Sequence, residues 1–389
     1  MKICLVGLDT LPVLAREFGQ QSIGGESVQQ GLLASSLARR GYDVSVVVAD
    51  YGQADGAEWG AIRTYKAYRL SAGLPVLRFI HPRWTGMWSA LARADADIYY
   101  TSRAGMHVGL LALFCRRFDK RLVFRTASDS DCDPSRLLVR FARDRWLYSY
   151  GLRRADAILA QTASQARDLA RNYGVKSRVA PMLVERPAPP AERNIDVLWV
   201  ANIWRPKRPD RAVELADELS GRGIHIHMVG GPMPGEESMF EDLKRAAAVR
   251  SNLSFHGRLS HWDTNSLYGR ARTLVNTSDV EGFPNVYLQA WIAGVPVVTL
   301  IDPDGVIARE GLGMVASSPA GLGKAVRYFF DYPGEWQAAS DRCRAFMLRE
   351  HGEEKVLATY LDTFEQLTGA DACRTRPRRM SATSLSRIN

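Results

Sequence analysis

The residues best suited to chemistry lie in one stretch, Ser278-Asp279-Val280-Glu281-Gly282-Phe283-Pro284-Asn285-Val286-Tyr287-Leu288-Gln289-Ala290-Trp291, followed by Gly294-Val295-Pro296-Val297-Val298-Thr299. An acidic residue and a glycine here fall on a strand-to-helix turn, where the first backbone N–H groups of the helix lack intrahelical partners and can hold an anion. Gln289 follows Glu281 by eight residues, about two helical turns, so both side chains can reach one ligand from the same side. A solvated Glu on an ordinary strand-helix crossover is the plain alternative. A cationic cluster, Trp204-Arg205-Pro206-Lys207-Arg208, suits an anion and is otherwise a solvated basic loop. Gly24 and Gly25, opening a helix after the first strand, either allow close backbone approach or serve a tight turn.

Several lone polar residues admit two readings. His107, Asp129 and Asp131 either orient a substrate hydroxyl or satisfy local hydrogen bonds. Asp-x-Asp, a pattern that can bind a divalent cation, occurs at Asp95/Asp97, Asp129/Asp131, Asp131/Asp133 and Asp302/Asp304. Four occurrences in one chain make it uninformative, and carboxylates alone do not specify a magnesium cage.

The acidic turn resembles that of the retaining family 4 glycosyltransferases of the GT-B fold (glycosyl transferases group 1), whose mark is Glu-x7-Glu ahead of G-x-P-V-V. The resemblance runs from the opening strand to about Leu367. It implies that Glu281 contacts the donor hexose, with Phe283, Pro284 and Asn285 lining the turn. The ribose position falls to Gln289, where the family has Glu; an amide still hydrogen-bonds ribose hydroxyls, but uncharged and as donor or acceptor. Lys207 matches the family lysine that clamps the diphosphate, Asn202 stands where Arg is usual, and Arg205 supplies the missing charge. Gly24 and Gly25 match the family's glycine-rich loop near the donor phosphate and acceptor. Pro303-Asp304-Gly305 occupies the donor-side glycine loop, with Asp304 replacing a glycine. After Arg125 the family commonly has a catalytic His; this chain has Thr126-Ala127-Ser128-Asp129.

The implied activity is retaining transfer from a nucleotide diphosphate sugar to a glycan or lipid-linked acceptor, in cell-surface polysaccharide synthesis. The alternatives are a non-catalytic sugar-binding relative, and an epimerase or oxidoreductase on similar domains. The first loop lacks the G-x-G-x-x-G of nicotinamide binding. No cofactor and no obligatory metal are expected, because Lys207, Arg205 and helix N-termini can neutralise the leaving diphosphate.

Positioning these residues requires a scaffold, and short β-branched runs alternating with helical patterns predict parallel sheets built from βαβ units. Strands are expected at 2–7, 44–49, 98–101, 122–125 and 157–161, then at 196–201, 225–229, 253–256, 273–276 and 295–300, with helices between, as at 27–40 and 210–220. The expected fold is α/β, with two facing Rossmann-like doubly wound domains and a cleft between them. The acceptor-binding domain spans 1–186 and the nucleotide-sugar domain 187–369, with a Pro-rich hinge at Arg186–Pro190 and a disordered basic tail over 370–389.

Composition agrees with this layout. The 389 residues are 46% hydrophobic and 24% charged, which excludes disordered and collagen-like chains. Five scattered cysteines without a C-x-x-C pair read as cytosolic thiols, and the first residues read as a buried strand with no signal-peptide pattern. A net charge of +9 favours anionic partners. Ser135 to Arg154 carries six Arg against one Asp, reading either as a basic amphipathic helix for anionic lipid (Arg136–Arg154) or as an ordinary helix with a solvated face. Nucleic acid is not expected, since no reading module occurs. The expected location is cytoplasmic, peripheral on the inner membrane face.

Overall fold

The computed structural model describes residues 1–18, 24–74, 77–185 and 192–369. Eight strands form the first sheet: β1 (Lys2–Val6), β2 (Asp43–Val48), β3 (Glu58–Trp59), β4 (Ile62–Lys66), β5 (Ile98–Ser102), β6 (Arg121–Arg125), β7 (Ala157–Ala160) and β8 (Arg178–Val179), in the order β3-β4-β2-β1-β5-β6-β7-β8. All pair in parallel except β3 with β4. The second sheet is wholly parallel: β9 (Ile195–Val200), β10 (Ile226–Val229), β11 (Leu253–Phe255), β12 (Ala271–Asn276), β13 (Val297–Thr299) and β14 (Gly313–Val315), in the order β11-β10-β9-β12-β13-β14.

Alternation along β1 shows why both faces are covered. Ile3 and Leu5 pack with Leu33 and Leu37 of the helix Gly25–Arg39, while Cys4 and Val6 pack with Leu110 and Leu111 of the helix Met106–Phe118. A parallel strand buried on both sides reads as a continuous apolar run, which is why it was legible. The less apolar pieces were not expected: β3 and β4 carry exposed Glu58 and Arg63, and β8 and β14 are two and three residues long. At Gly313 a Cβ would lie 1.9 Å from the Val297 carbonyl oxygen, so β14 can pair only through glycine there. The strand expected from Val295 begins at Val297, because the Val295 N–H still bonds Ala290 in the preceding turn and Pro296 has no N–H.

Two expectations are corrected. The stretch 135–154 is not one helix; only Ala142–Leu152 is helical, and it buries Leu147, Tyr148, Gly151 and Leu152. Gly151 and Gly109 let it cross the Met106–Phe118 helix at backbone distance. The last helix, Glu353–Gly369, does not sit with the second sheet. Val356, Leu357, Tyr360 and Phe364 pack into the first sheet's core beside Ile3 and Leu5, contributing about 1.5–3 kcal/mol each. The chain therefore crosses between sheets twice, and His351 at the second crossing bonds the carbonyl of Met182 at the first through Nδ1, 3.0 Å away. The Pro-rich hinge at 186–190 and the tail from 370 lie outside the described residues. The four described cysteines, Cys4, Cys115, Cys132 and Cys343, are buried thiols. Among the described residues no helix is long and apolar enough to cross a membrane.

Candidate active site

In parallel sheets the strand-to-helix loops at the carboxyl ends form the ligand crevice. After β9 the chain makes a turn, Arg205–Lys207, and enters the helix Pro209–Leu219 through Arg208 at φ 49°. The loop after β12 holds it in place. Asp279 N–H donates to Pro206 O (2.8 Å), Thr277 Oγ1 donates to Lys207 O (2.8 Å), and Arg211 binds both Thr277 O (3.0 Å) and Asp279 (2.7 Å). Buried Trp199 fixes Thr277 from below through Nε1 at 2.9 Å.

This scaffold brings Lys207 and Glu281 together although they are 74 residues apart in sequence. Lys207 Nζ lies 2.6 and 2.7 Å from the two Glu281 oxygens, with 24% of the lysine and 12% of the glutamate side chain exposed. Ser278 Oγ donates to Glu281 at 2.7 Å and Asn276 Nδ2 at 3.4 Å. The carboxylate is thus oriented by two neutral donors and neutralised by one ammonium, which an incoming anion can draw away. Arg205 is exposed and Asn202 partly exposed on the same loop. Gln289 is partly exposed on the helix Asn285–Ile292, one turn beyond Asn285.

The rest of the acidic turn spans the cleft. Asn285 Nδ2 donates to Gly25 O (2.5 Å), and Asn285 Oδ1 accepts from Gln29 Nε2 (3.1 Å). A Cβ on Gly25 would lie 2.6 Å from Asn285 Nδ2, whereas one on Gly24 would make only ordinary contacts. Of the two glycines, Gly25 is therefore the one the close approach requires. Phe283 turns its ring onto Trp291 and His351, and its backbone N–H donates to Gln161 Oε1 at 3.1 Å. Pro284 is buried and precedes the helix. Asp304 reaches the first sheet's side: its carboxylate accepts from Ala163 N (2.7 Å) and Ser164 N (3.1 Å), the exposed first turn of the helix Ala163–Tyr173. A carboxylate there also meets the favourable end of the helix dipole.

On the first sheet's side of the cleft the three candidates separate. Asp131 accepts from the Ala127 and Ser128 amides (2.8 and 3.3 Å) and caps the turn Asp129–Cys132; burial raises its pKa to about 6. Its carboxylate is committed to backbone. His107 places Nε2 3.1 Å from Ser102 O, and burial with nearby Arg103 lowers its pKa to about 4, so it is a neutral, locally bonded imidazole. Asp129 differs: one oxygen accepts from Gln165 Nε2 at 2.9 Å, burial raises its pKa, and the adjacent Ser128 Cα would lie 3.1 Å from a Cβ on Gly282. Asp129 thus shares Gln165 with the acidic turn, since a Cβ on Gly282 would lie 2.8 Å from Gln165 Nε2.

Residue patterns did not disclose Gln29, Gln161, Gln165 or the Glu26–Arg125 ion pair. Arg125 is fully buried with Nη1 3.1 Å from Glu26, anchoring the first turn of the Gly25 helix over the strand ends; burial raises the Glu26 pKa. Gln161 carried one available signal, since it directly follows the carboxyl end of β7.

Two facing doubly wound sheets whose carboxyl-end loops meet across a cleft define the GT-B glycosyltransferase class. Residues 24–183 match the glycosyl transferase 4-like domain, and residues 194–331 match glycosyl transferases group 1. The chain belongs to this family and is a glycosyltransferase. No curated protein matches it by sequence. Among solved structures, sucrose-phosphate synthase from Thermosynechococcus elongatus is similar at a TM-score of 0.76 and 16% identity, covering 95% of this chain and 100% of that one. HepE of Anabaena, in complex with UDP and glucose, is similar at 0.71 and 15%, covering 94% and 100%. WaaG, a glycosyltransferase involved in lipopolysaccharide biosynthesis, is similar at 0.65 and 18%, covering 96% and 99%.

Proposed function

We propose that this glycosyltransferase moves a sugar from a nucleotide diphosphate donor to a hydroxyl of a glycan or lipid-linked acceptor, with retention of anomeric configuration, in cell-surface polysaccharide synthesis. The observation that carries the reading is the Lys207–Glu281 pair at the strand ends, opposite the Gly25 loop. UDP and glucose bound to the similar HepE structure support a nucleotide-sugar donor.

In this reading Lys207 exchanges its contact with Glu281 for the donor diphosphate, assisted by Arg205. Glu281, released but still held by Ser278 and Asn276, accepts hydrogen bonds from the sugar hydroxyls. Gln289 meets the ribose, and the Gly24–Gly25 backbone borders the phosphate. The acceptor oxygen attacks the anomeric carbon on the face the diphosphate leaves. As the C–O bond to phosphate breaks, its electron pair goes to the phosphate oxygen, which takes the hydroxyl proton. The leaving group thus acts as the base, and Asp129 orients the acceptor. The charge that develops on the diphosphate is met by Lys207 and Arg205, so no obligatory metal is required.

Glu281→Ala is expected to abolish transfer from the nucleotide sugar identified by a thermal-shift screen, with the far-UV spectrum unchanged. Full activity in that variant refutes the site. Donor binding without turnover in the native chain, with every acceptor class tried, would favour the non-catalytic relative.

A further inference from the structure

The helices Thr85–Ala94, Met106–Phe118 and Ala142–Leu152 cover one outer face of the first sheet. Together they carry five arginines and a single carboxylate, Asp144, which is already paired with Arg143 at 2.8 Å. The same face leaves large apolar side chains in solvent. Trp146 is 64% exposed and Phe141 51%, and Phe118 ends the middle helix at 44%. Isolated exposed apolar residues need no explanation, but a contiguous group does.

Contacts show that these residues form one surface. Trp84, Trp88 and Tyr150 pack on the same buried cluster, Trp88 meets Phe118, and the Arg143 guanidinium lies 3.3 Å from the centre of the Phe79 ring. Between the first two helices runs an apolar groove of about 870 Å³, floored by Trp84, Trp88 and Leu113 and rimmed by Arg116 and Arg117. Arginines lie over aromatic rings elsewhere on this face too, Arg154 over Tyr150 at 4.7 Å and Arg117 over Phe118 at 5.4 Å. Apolar bodies with cationic heads spread among them match the interfacial zone of a bilayer, where hydrocarbon meets phosphate.

We infer that this face docks on an anionic lipid bilayer, with acyl chains entering the Trp84–Trp88 groove and phosphates meeting Arg116, Arg117 and Arg143. Charge complementarity selects this occupant, and exposed Trp146 and Phe118, tied to the face through Tyr150 and Trp88, have no complement on a polynucleotide backbone. The loop from Thr126 to Phe141, which carries Asp129, leads into the last of these helices, so the docked face and Asp129 are joined by one chain segment. For its biological use the inference rests on the proposed lipid-linked acceptor.

The test is flotation of the full chain with vesicles of phosphatidylcholine alone or with 30% phosphatidylglycerol, without donor or acceptor, so that it is decided independently of transfer activity. Binding is expected only with phosphatidylglycerol. Arg116→Gln/Arg117→Gln should weaken it about 25-fold, at roughly fivefold per arginine, and Phe141→Ser/Trp146→Ser should weaken it at least tenfold. Arg245→Gln, on the second domain, should leave it unchanged and certifies that the loss is local. Equal binding to both vesicles overturns the inference, as do absence of binding, loss only on removal of residues 370–389, or a dimer in solution that Phe141→Ser/Trp146→Ser dissociates.

Discussion

Replacing Lys207 by Met separates the structural from the catalytic part of the Lys207–Glu281 contact. In the free protein the lysine makes two short bonds to a carboxylate whose side chain is 12% exposed. A charged hydrogen bond of this kind contributes about 1.5–3 kcal/mol. Glu281 keeps Ser278 and Asn276, and the lysine is itself one quarter exposed, so a loss of about 1–2 kcal/mol is expected. That lowers the Tm by about 2–8 °C for domains of this size. Catalysis should suffer far more, because in the proposed reaction the same ammonium meets charge that develops on the diphosphate. Removing one such group costs 10²–10³-fold, about 2.7–4 kcal/mol. The assay is steady-state transfer with the screened donor, beside calorimetric unfolding. Adding Glu281→Gln to Lys207→Met removes the unpaired carboxylate and should restore most of the Tm while activity stays low. A decrease in kcat/KM below tenfold with the fold intact, or recovery of activity together with Tm in the double variant, refutes the reasoning.

Other perturbations bear on the cleft and the fold. Gly25→Ala sets a methyl 2.6 Å from Asn285 Nδ2 and displaces two cross-cleft hydrogen bonds; at about 1 kcal/mol each the Tm should fall by about 4–8 °C, and donor KM should rise because the methyl also intrudes on the loop that borders the donor, so an unchanged KM speaks against that placement. Asp304→Ala removes the cross-cleft cap of the Ala163 helix, worth about 0.5–2 kcal/mol, and small-angle scattering should show a larger radius of gyration; identical curves would mean the cap does not hold the domains together. His107 is held neutral with its pKa lowered to about 4, so the unfolded chain takes up its proton first as pH falls below about 6.5. Its contribution is intact above that pH and fades toward pH 4. His107→Gln should therefore lose about 1–2 kcal/mol less stability than the native chain between pH 7 and 5; parallel stability curves for the two proteins would refute that protonation balance.

Much of the scaffold was legible because its signals are local. The central strands are buried on both faces and read as apolar β-branched runs, and Gly41, at φ 83°, ends the first long helix where a left-handed residue is needed. The strands that were missed are the short edge pieces β3, β8 and β14, whose existence depends on a neighbour, and β4, where exposed Arg63 breaks the apolar run. The basic stretch 135–154 misled for a related reason: its charge pattern suits a helix, but Leu137 and Val139 pack inward while Leu138 and Arg140 between and after them are exposed, the alternation of an extended segment. Only packing showed that Glu353–Gly369 belongs to the first core, since an amphipathic helix does not specify which apolar surface will cover it.

The candidate site divides along the same line. Residue types and spacing marked the acidic turn, the basic loop and the glycine pair, because the chemistry of an anion at a helix start is written within a few residues, and the family resemblance singled out Glu281 and Lys207 within them. Tertiary structure decided which groups meet: Lys207 with Glu281 across 74 positions, Gln29 with Asn285 across 256, and Asp304 with the Ala163 helix across 141. It also committed Asp131 and His107 to backbone bonds and joined Asp129 to Gln165, which lies beside Gly282 of the acidic turn. The physical reason is range. Turn geometry and burial periodicity act between neighbours in the chain, whereas a hydrogen bond across a cleft exists only after strand order and two interdomain crossings have set the distances.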